Sequence, residues 1–125
     1  NAAADGDSSD RGPQVTTDGM GTWVAIWSSY DSLGGTIGND EDVLFSRSTD
    51  NGATWAAATA VDPDAATDLG NVADHPQIAA DASGHMGVAW HSDDPHGNPG
   101  DYTRKILVSR SSDSGATWSA GQCSW

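Results

Sequence analysis

The residues of this chain that could do chemistry gather in its polar connecting segments. Asp5, Asp7 and Asp10 form an Asp-x-Asp-x-x-Asp run, Asp40-Glu41-Asp42 closes one long polar stretch, and Asp93-Asp94 opens another. Calcium takes roughly six to eight oxygens from flexible, carboxylate-rich loops, so Asp5, Asp7 and Asp10 are candidate Ca2+ ligands. No run follows the EF-hand pattern, with its central glycine and terminal bidentate glutamate, and a solvated acidic loop accounts for the same residues. Arg11, Asp74 and His75 stand just before strand-like segments, while Tyr30 shares a loop with Glu41, the single glutamate of the chain. Arginine, carboxylate, imidazole and phenol can together hold a polar ligand, and Arg11, Tyr30, Asp74 and His75 are the candidate ligand contacts.

Composition narrows what that ligand could be. With 5 basic against 18 acidic residues, the formal charge is −13 at neutral pH, which repels nucleic acid and anionic membranes. No apolar run is long enough to span a bilayer, and there is neither an initiator Met nor a charged, apolar leader. The chain is therefore expected to be a mature product or a piece of a longer one. Cys123 has no partner for an internal disulfide and lies in no metal-ligand cluster, so it is expected to be a free thiol. No cofactor other than Ca2+ is implied.

Elements that position such groups must come from a repeat. Ser48-Thr49-Asp50-Asn51-Gly52-Ala53-Thr54-Trp55 returns, 63 residues later, as Ser111-Ser112-Asp113-Ser114-Gly115-Ala116-Thr117-Trp118. The same step carries Pro13-Gln14 onto Pro76-Gln77, Trp27 onto Trp90, and Ser46-Arg47-Ser48 onto Ser109-Arg110-Ser111. Laying residues 1–62 on residues 64–125 gives 21 identities in 62 positions without a gap. The chain thus reads as two units, 1–62 with a linker at 1–12 and 63–125 with a linker at 64–75, neither expected to fold alone.

No window sustains a 3.6-residue apolar period, and the fifteen glycines and six tryptophans favour strands and turns. Strands are expected at 13–17, 22–28 and 43–48, with a weaker fourth at 55–61. Their copies fall at 76–80, 86–91, 106–111 and 118–124. Trp23, Ala25 and Trp27 alternate with Val24 and Ile26, so this strand is apolar on both faces and must be covered on both. In an up-and-down meander the tight Asp18-Gly19 turn shares one end with the repeated hairpin. The long loops, 29–41 and 92–104, then occupy the other end, where a site is expected.

The motif Ser-x-Asp-x-Gly-x-x-Trp, twice at constant spacing and each time after a matching strand, resembles the Asp-box, or bacterial neuraminidase repeat, of sialidase-like β-propellers. In that family the box is a structural turn, a role the resemblance assigns to Ser48, Asp50, Gly52, Trp55, Ser111, Asp113, Gly115 and Trp118. It implies an all-β chain of two four-stranded antiparallel propeller blades, and commonly secretion. Two blades leave two apolar faces uncovered, so a six-bladed ring completed by homotrimerisation is expected, with an eight-bladed tetramer as the alternative.

Catalytic sialidases use an arginine cluster, a tyrosine nucleophile activated by glutamate, and an aspartate acid/base. Their Phe/Tyr-Arg-Ile-Pro motif is absent here, where Asp10-Arg11-Gly12-Pro13 stands instead, so no catalytic residue is assigned. The expectation is a non-catalytic, self-assembling scaffold that takes a carbohydrate or protein ligand on its long-loop face. The alternative is a sialidase-like glycoside hydrolase (an exo-sialidase) or a fragment of one. Arg11 and Asp74, equivalent in the repeat, are expected to alternate as an ion-pair ring around the channel mouth. Arg47 and Arg110 are expected to brace their own hairpins.

Overall fold

A computed structural model describes residues 8–67, 71–95 and 99–124. Eight strands form two antiparallel sheets in simple meander order. The first sheet holds β1 (Asp10–Thr17), β2 (Trp23–Ser29), β3 (Asp42–Ser48) and β4 (Thr59–Ala60). The second holds β5 (Ala73–Ala80), β6 (Met86–Ser92), β7 (Lys105–Ser111) and β8 (Gln122–Cys123). The expected strand order holds, but β1 and β5 each begin three residues earlier, inside the stretches read as linkers. A bulge explains the extension. From Arg11 to Gln14 the chain advances three residues while its partner moves two, from Ser28 to Ile26, and β5 does the same between Asp74 and Gln77. Pairing resumes beyond the prolines, which the sequence alone places at the strand start. The outer strands shrink to two residues each because Gly, Ala and Ser supply little side chain to hold a longer ladder.

The core lies between the sheets. Val24 and Ile26 of β2 point to one face and are fully buried against Met86, Val88 and Trp90 of β6, with Val43, Val61, Ala73 and Leu107 around them. Burial of each large side chain here contributes about 1.5–3 kcal/mol. Phe45 meets Trp118 edge to face, with ring centroids 5.9 Å apart. Trp90 is thus enclosed at 3% exposure. The uncovered faces are the one carrying Trp23, Ala25 and Trp27, which are half-buried, and the one carrying Ile106 and Val108, which are 41% and 37% exposed. Trp23, read first as a core residue, instead packs at this edge and donates its indole N–H to Asn51 Oδ1 at 3.1 Å.

Each repeated hairpin is closed by its own side chains. Ser48 Oγ donates to Asp50 Oδ1 and accepts from the Gly52 N–H, while the Thr54 N–H and hydroxyl both donate to the Asp50 carboxylate. Ser111, Asp113, Gly115 and Thr117 repeat the arrangement. The Trp55 indole N–H returns to the Gly52 carbonyl at 3.1 Å, so the ring does fold back on its turn. The tips also seat on the tight turns, through Asn51 N–H to the Gly21 carbonyl and Ser114 N–H to the Gly84 carbonyl, both 2.9 Å. Arg47 does not brace its own hairpin. Its Nε donates to the Ser114 carbonyl at 2.8 Å, tying the first sheet to the turn of the second.

Two expected outcomes follow from these contacts. Gly52 and Gly115 both have left-handed backbone, but a methyl group at Gly52 would make only an ordinary contact with Trp55 Cζ2 at 4.0 Å, whereas at Gly115 it would come 2.5 Å from Val24 Cγ2 and 3.2 Å from Met86 Sδ. Gly52→Ala should destabilise by about 1–2 kcal/mol from backbone strain. Gly115→Ala should add about 1–3 kcal/mol of overpacking to the same strain, read by urea denaturation. The second outcome is a pH dependence. Hydrogen bonds from Thr54 to Asp50, and from Ser111 and Thr117 to Asp113, lower both carboxyls to about 2. Folded pKa values below the ordinary aspartate value of 3.8 mean that the stabilisation is present above that value and is lost as pH falls through about 2. Melting temperature should drop over that window, and Asp50→Asn with Asp113→Asn should flatten the drop while lowering the plateau above it.

Candidate functional site at the long-loop mouth

The innermost strands β1 and β5 lie side by side, and both start at the end that carries the long loops. At each bulge a residue adopts left-handed backbone, Gly12 at φ 58° and His75 at φ 54°, followed by proline. Gly tolerates that conformation, whereas His there costs about 1 kcal/mol. The bulges place Arg11 and Asp74 at the mouth, opposite Ser28 and His91 respectively.

Two groups of side chains converge there. The Arg11 guanidinium carbon sits 5.6 Å from the Tyr30 ring centroid, and the Tyr30 hydroxyl donates to Glu41 Oε2 at 3.2 Å. Glu41 is 96% enclosed, and its backbone carbonyl accepts the Ala73 N–H at 2.7 Å, which anchors the first long loop to the start of β5. The Glu41 charge, with smaller help from its hydrogen bond and from desolvation and with Arg11 opposing, raises the Tyr30 phenol above its ordinary value, so it is a neutral donor at physiological pH. The second group centres on Asp74. Arg104 Nη1 lies 3.3 Å from Asp74 Oδ2, His75 Nδ1 lies 3.2 Å and His91 Nδ1 3.8 Å from Oδ1, and the two imidazole centroids are 5.6 Å apart.

All four candidate contacts, Arg11, Tyr30, Asp74 and His75, therefore come together at one end. Within the chain, Arg11 and Asp74 do not pair with each other as the expected ring requires. Arg11 stacks on Tyr30, and Asp74 is engaged by Arg104 from the second long loop, so no ion pair joins Arg11 to Asp74 among the described residues. Asp10 is exposed at the start of β1, while Asp5 and Asp7 lie outside the described residues. Sequence reasoning missed the roles of Glu41, His91 and Arg104. A signal was present: at the 63-residue step Glu41 matches Arg104, Arg11 matches Asp74 and Ser28 matches His91. Charges at the mouth are thus reversed between two units whose scaffold residues repeat.

No protein-family model matches the chain, and no curated protein matches it. Among solved structures, the Hadza microbial sialidase Hz136 superposes with a TM-score of 0.70 at 22% identity, over 91% of this chain and 25% of that one. The GH93 α-L-arabinofuranosidase of Fusarium graminearum in complex with arabinobiose superposes with a TM-score of 0.56 at 16% identity, over 81% of this chain and 27% of that one. Over the matched part, the fold is that of a β-propeller. The two sheets are propeller blades, and the chain spans about a quarter of the length of each of these enzymes.

Proposed function

We propose that these blades carry part of the carbohydrate-binding mouth of a sialidase-like glycoside hydrolase, exported from the cell. Arg11, Tyr30 and Asp74 serve as sugar contacts, and Glu41 orients Tyr30. The observation that carries this reading is the Tyr30–Glu41 hydrogen bond with Arg11 stacked on the same ring. A phenol held against an enclosed carboxylate can donate to a sugar oxygen. If Tyr30 attacked an anomeric carbon, Glu41 would take the phenolic proton as the C–O bond to the leaving group broke and the departing oxygen took a proton from water. The two solved neighbours are a sialidase and an arabinofuranosidase, which supports a glycan as the ligand class. The repeated turns act as Asp-boxes at the opposite end, where they stabilise the blades without touching ligand.

A glycan array, followed by fluorogenic sialoside and arabinofuranoside assays, tests this reading. Arg11→Ala and Tyr30→Phe should each weaken binding on the order of tenfold, equivalent to ~1.4 kcal/mol, while melting temperature holds. Turnover lost in Tyr30→Phe would make the phenol the nucleophile. Binding that neither substitution alters would exclude this mouth.

A second reading, the self-assembling scaffold, is favoured by the sizes of the two uncovered faces. Within the chain, Val24, Ile26 and Phe45 receive Met86, Val88 and Trp90. At the 63-residue step the first set becomes Gly87, Ala89 and Val108 and the second becomes Trp23, Ala25 and Trp27. The receiving face shrinks, most at Gly87, where the incoming face gains Trp23. By the same correspondence Arg110 would bond the Asn51 carbonyl of the next copy, as Arg47 bonds Ser114. Three chains would close six blades, and four would close eight. Light scattering coupled to size exclusion should report about three times 12.9 kDa, and Gly87→Trp should abolish that species; a dilution-resistant, well-folded monomer would sink it.

A further inference from the structure

We infer that Asp74, His75 and His91 form a binding site for a divalent first-row transition metal ion such as Zn2+, a site that shares Asp74 with the sugar reading above but is tested by metal uptake alone. Among the described residues this is the one place where ligand atoms from three such side chains lie within 4.8 Å of one another. Two imidazole nitrogens and a carboxylate oxygen form a donor set that suits zinc and its neighbours, not calcium, and leave coordination positions open to water or an oxygen ligand. A tetrahedral ion with bonds of about 2.0–2.1 Å holds its ligand atoms about 3.3 Å apart. Asp74 Oδ1 and His75 Nδ1 already stand 3.2 Å apart, and His91 Nδ1 lies 3.8 Å from the same oxygen.

The repeat supplies an independent reason. The first blade carries Arg11, Gly12 and Ser28 at the equivalent positions. All three differ in the second blade, and each replacement introduces a ligating side chain. Asp74 and His91 are direct cross-strand partners, so the ladder brings two ligands together. His75 occupies a left-handed bulge position where the first blade uses glycine. A side chain held where the backbone disfavours it points to a role for the side chain. Arg104 lies closer to the other carboxylate oxygen, Oδ2, and neutralises Asp74 when no ion is bound. It therefore competes with the metal for the same charge.

The experiment is calorimetric titration of tag-free, chelator-stripped protein with ZnCl2, supported by the visible absorption of the Co2+ form. One equivalent per chain should bind, and zinc should raise the melting temperature. His75→Gly and His91→Ala should each weaken binding by at least about tenfold, and Arg104→Ala should tighten it. His75→Gly restores the residue used by the first blade, so it should leave the metal-free fold at least as stable, which separates loss of the site from loss of the fold. Cys123→Ser and His85→Ala, which alter the free thiol and the separate His85–Asp81 pair, should change nothing. Absence of saturable uptake, or uptake that survives both His75→Gly and His91→Ala, would overturn the assignment.

Discussion

A four-stranded sheet that is apolar on both faces cannot stand alone in water, and the rest of this structure depends on meeting that constraint. Val24 and Ile26 are covered only because Met86, Val88 and Trp90 of the second blade lie on them. The contact is set at one edge by the Arg47 bond to the Ser114 carbonyl and by Gly115, whose missing side chain lets Val24 and Met86 approach. The second repeated hairpin is therefore more than a turn. It shapes the surface that Val24 of the first blade fits, and acid that protonates Asp113 acts on the stacking as well as on the loop.

Stacking also builds the mouth. Because the two sheets lie face to face with their innermost strands adjacent, the starts of β1 and β5 meet at the long-loop end. The Glu41 carbonyl bond to the Ala73 N–H joins a loop of one blade to the inner strand of the other. Tyr30, Glu41 and Arg11 from the first blade thus share an end with Asp74, His75, His91 and Arg104 from the second. Where the repeats agree, the residues hold the blades; where they differ, they give the two blades different chemistry. Reversal of charge between Arg11 with Glu41 and Asp74 with Arg104 keeps opposite charges near each other on both sides of the mouth, in a chain otherwise rich in acid.

A strained His75 belongs to the same pattern. The bulge is common to both blades, as is the proline after it, so the backbone is a property of the repeat. Only the side chain placed on that backbone changes, from none at Gly12 to an imidazole at His75. Such positions allow a repeat protein to acquire a site without altering its frame.

The sequence by itself determined the strands, their meander order, the turns and the end at which Arg11, Tyr30, Asp74 and His75 gather. These follow from local chemistry: alternating apolar residues, glycine at left-handed positions, and Ser, Asp and Thr side chains that close a turn on themselves. Repetition made that local signal readable twice. What only the tertiary structure decided was pairing between units. Arg47 reaches the neighbouring turn and not its own, Arg11 stacks on Tyr30 and leaves Asp74 to Arg104, and Trp90 is enclosed while the face of Trp27 stays uncovered. A repeat shows which positions correspond but not which ones touch. Long side chains choose partners by distance and direction in three dimensions, and one bulge on each inner strand was enough to redirect them.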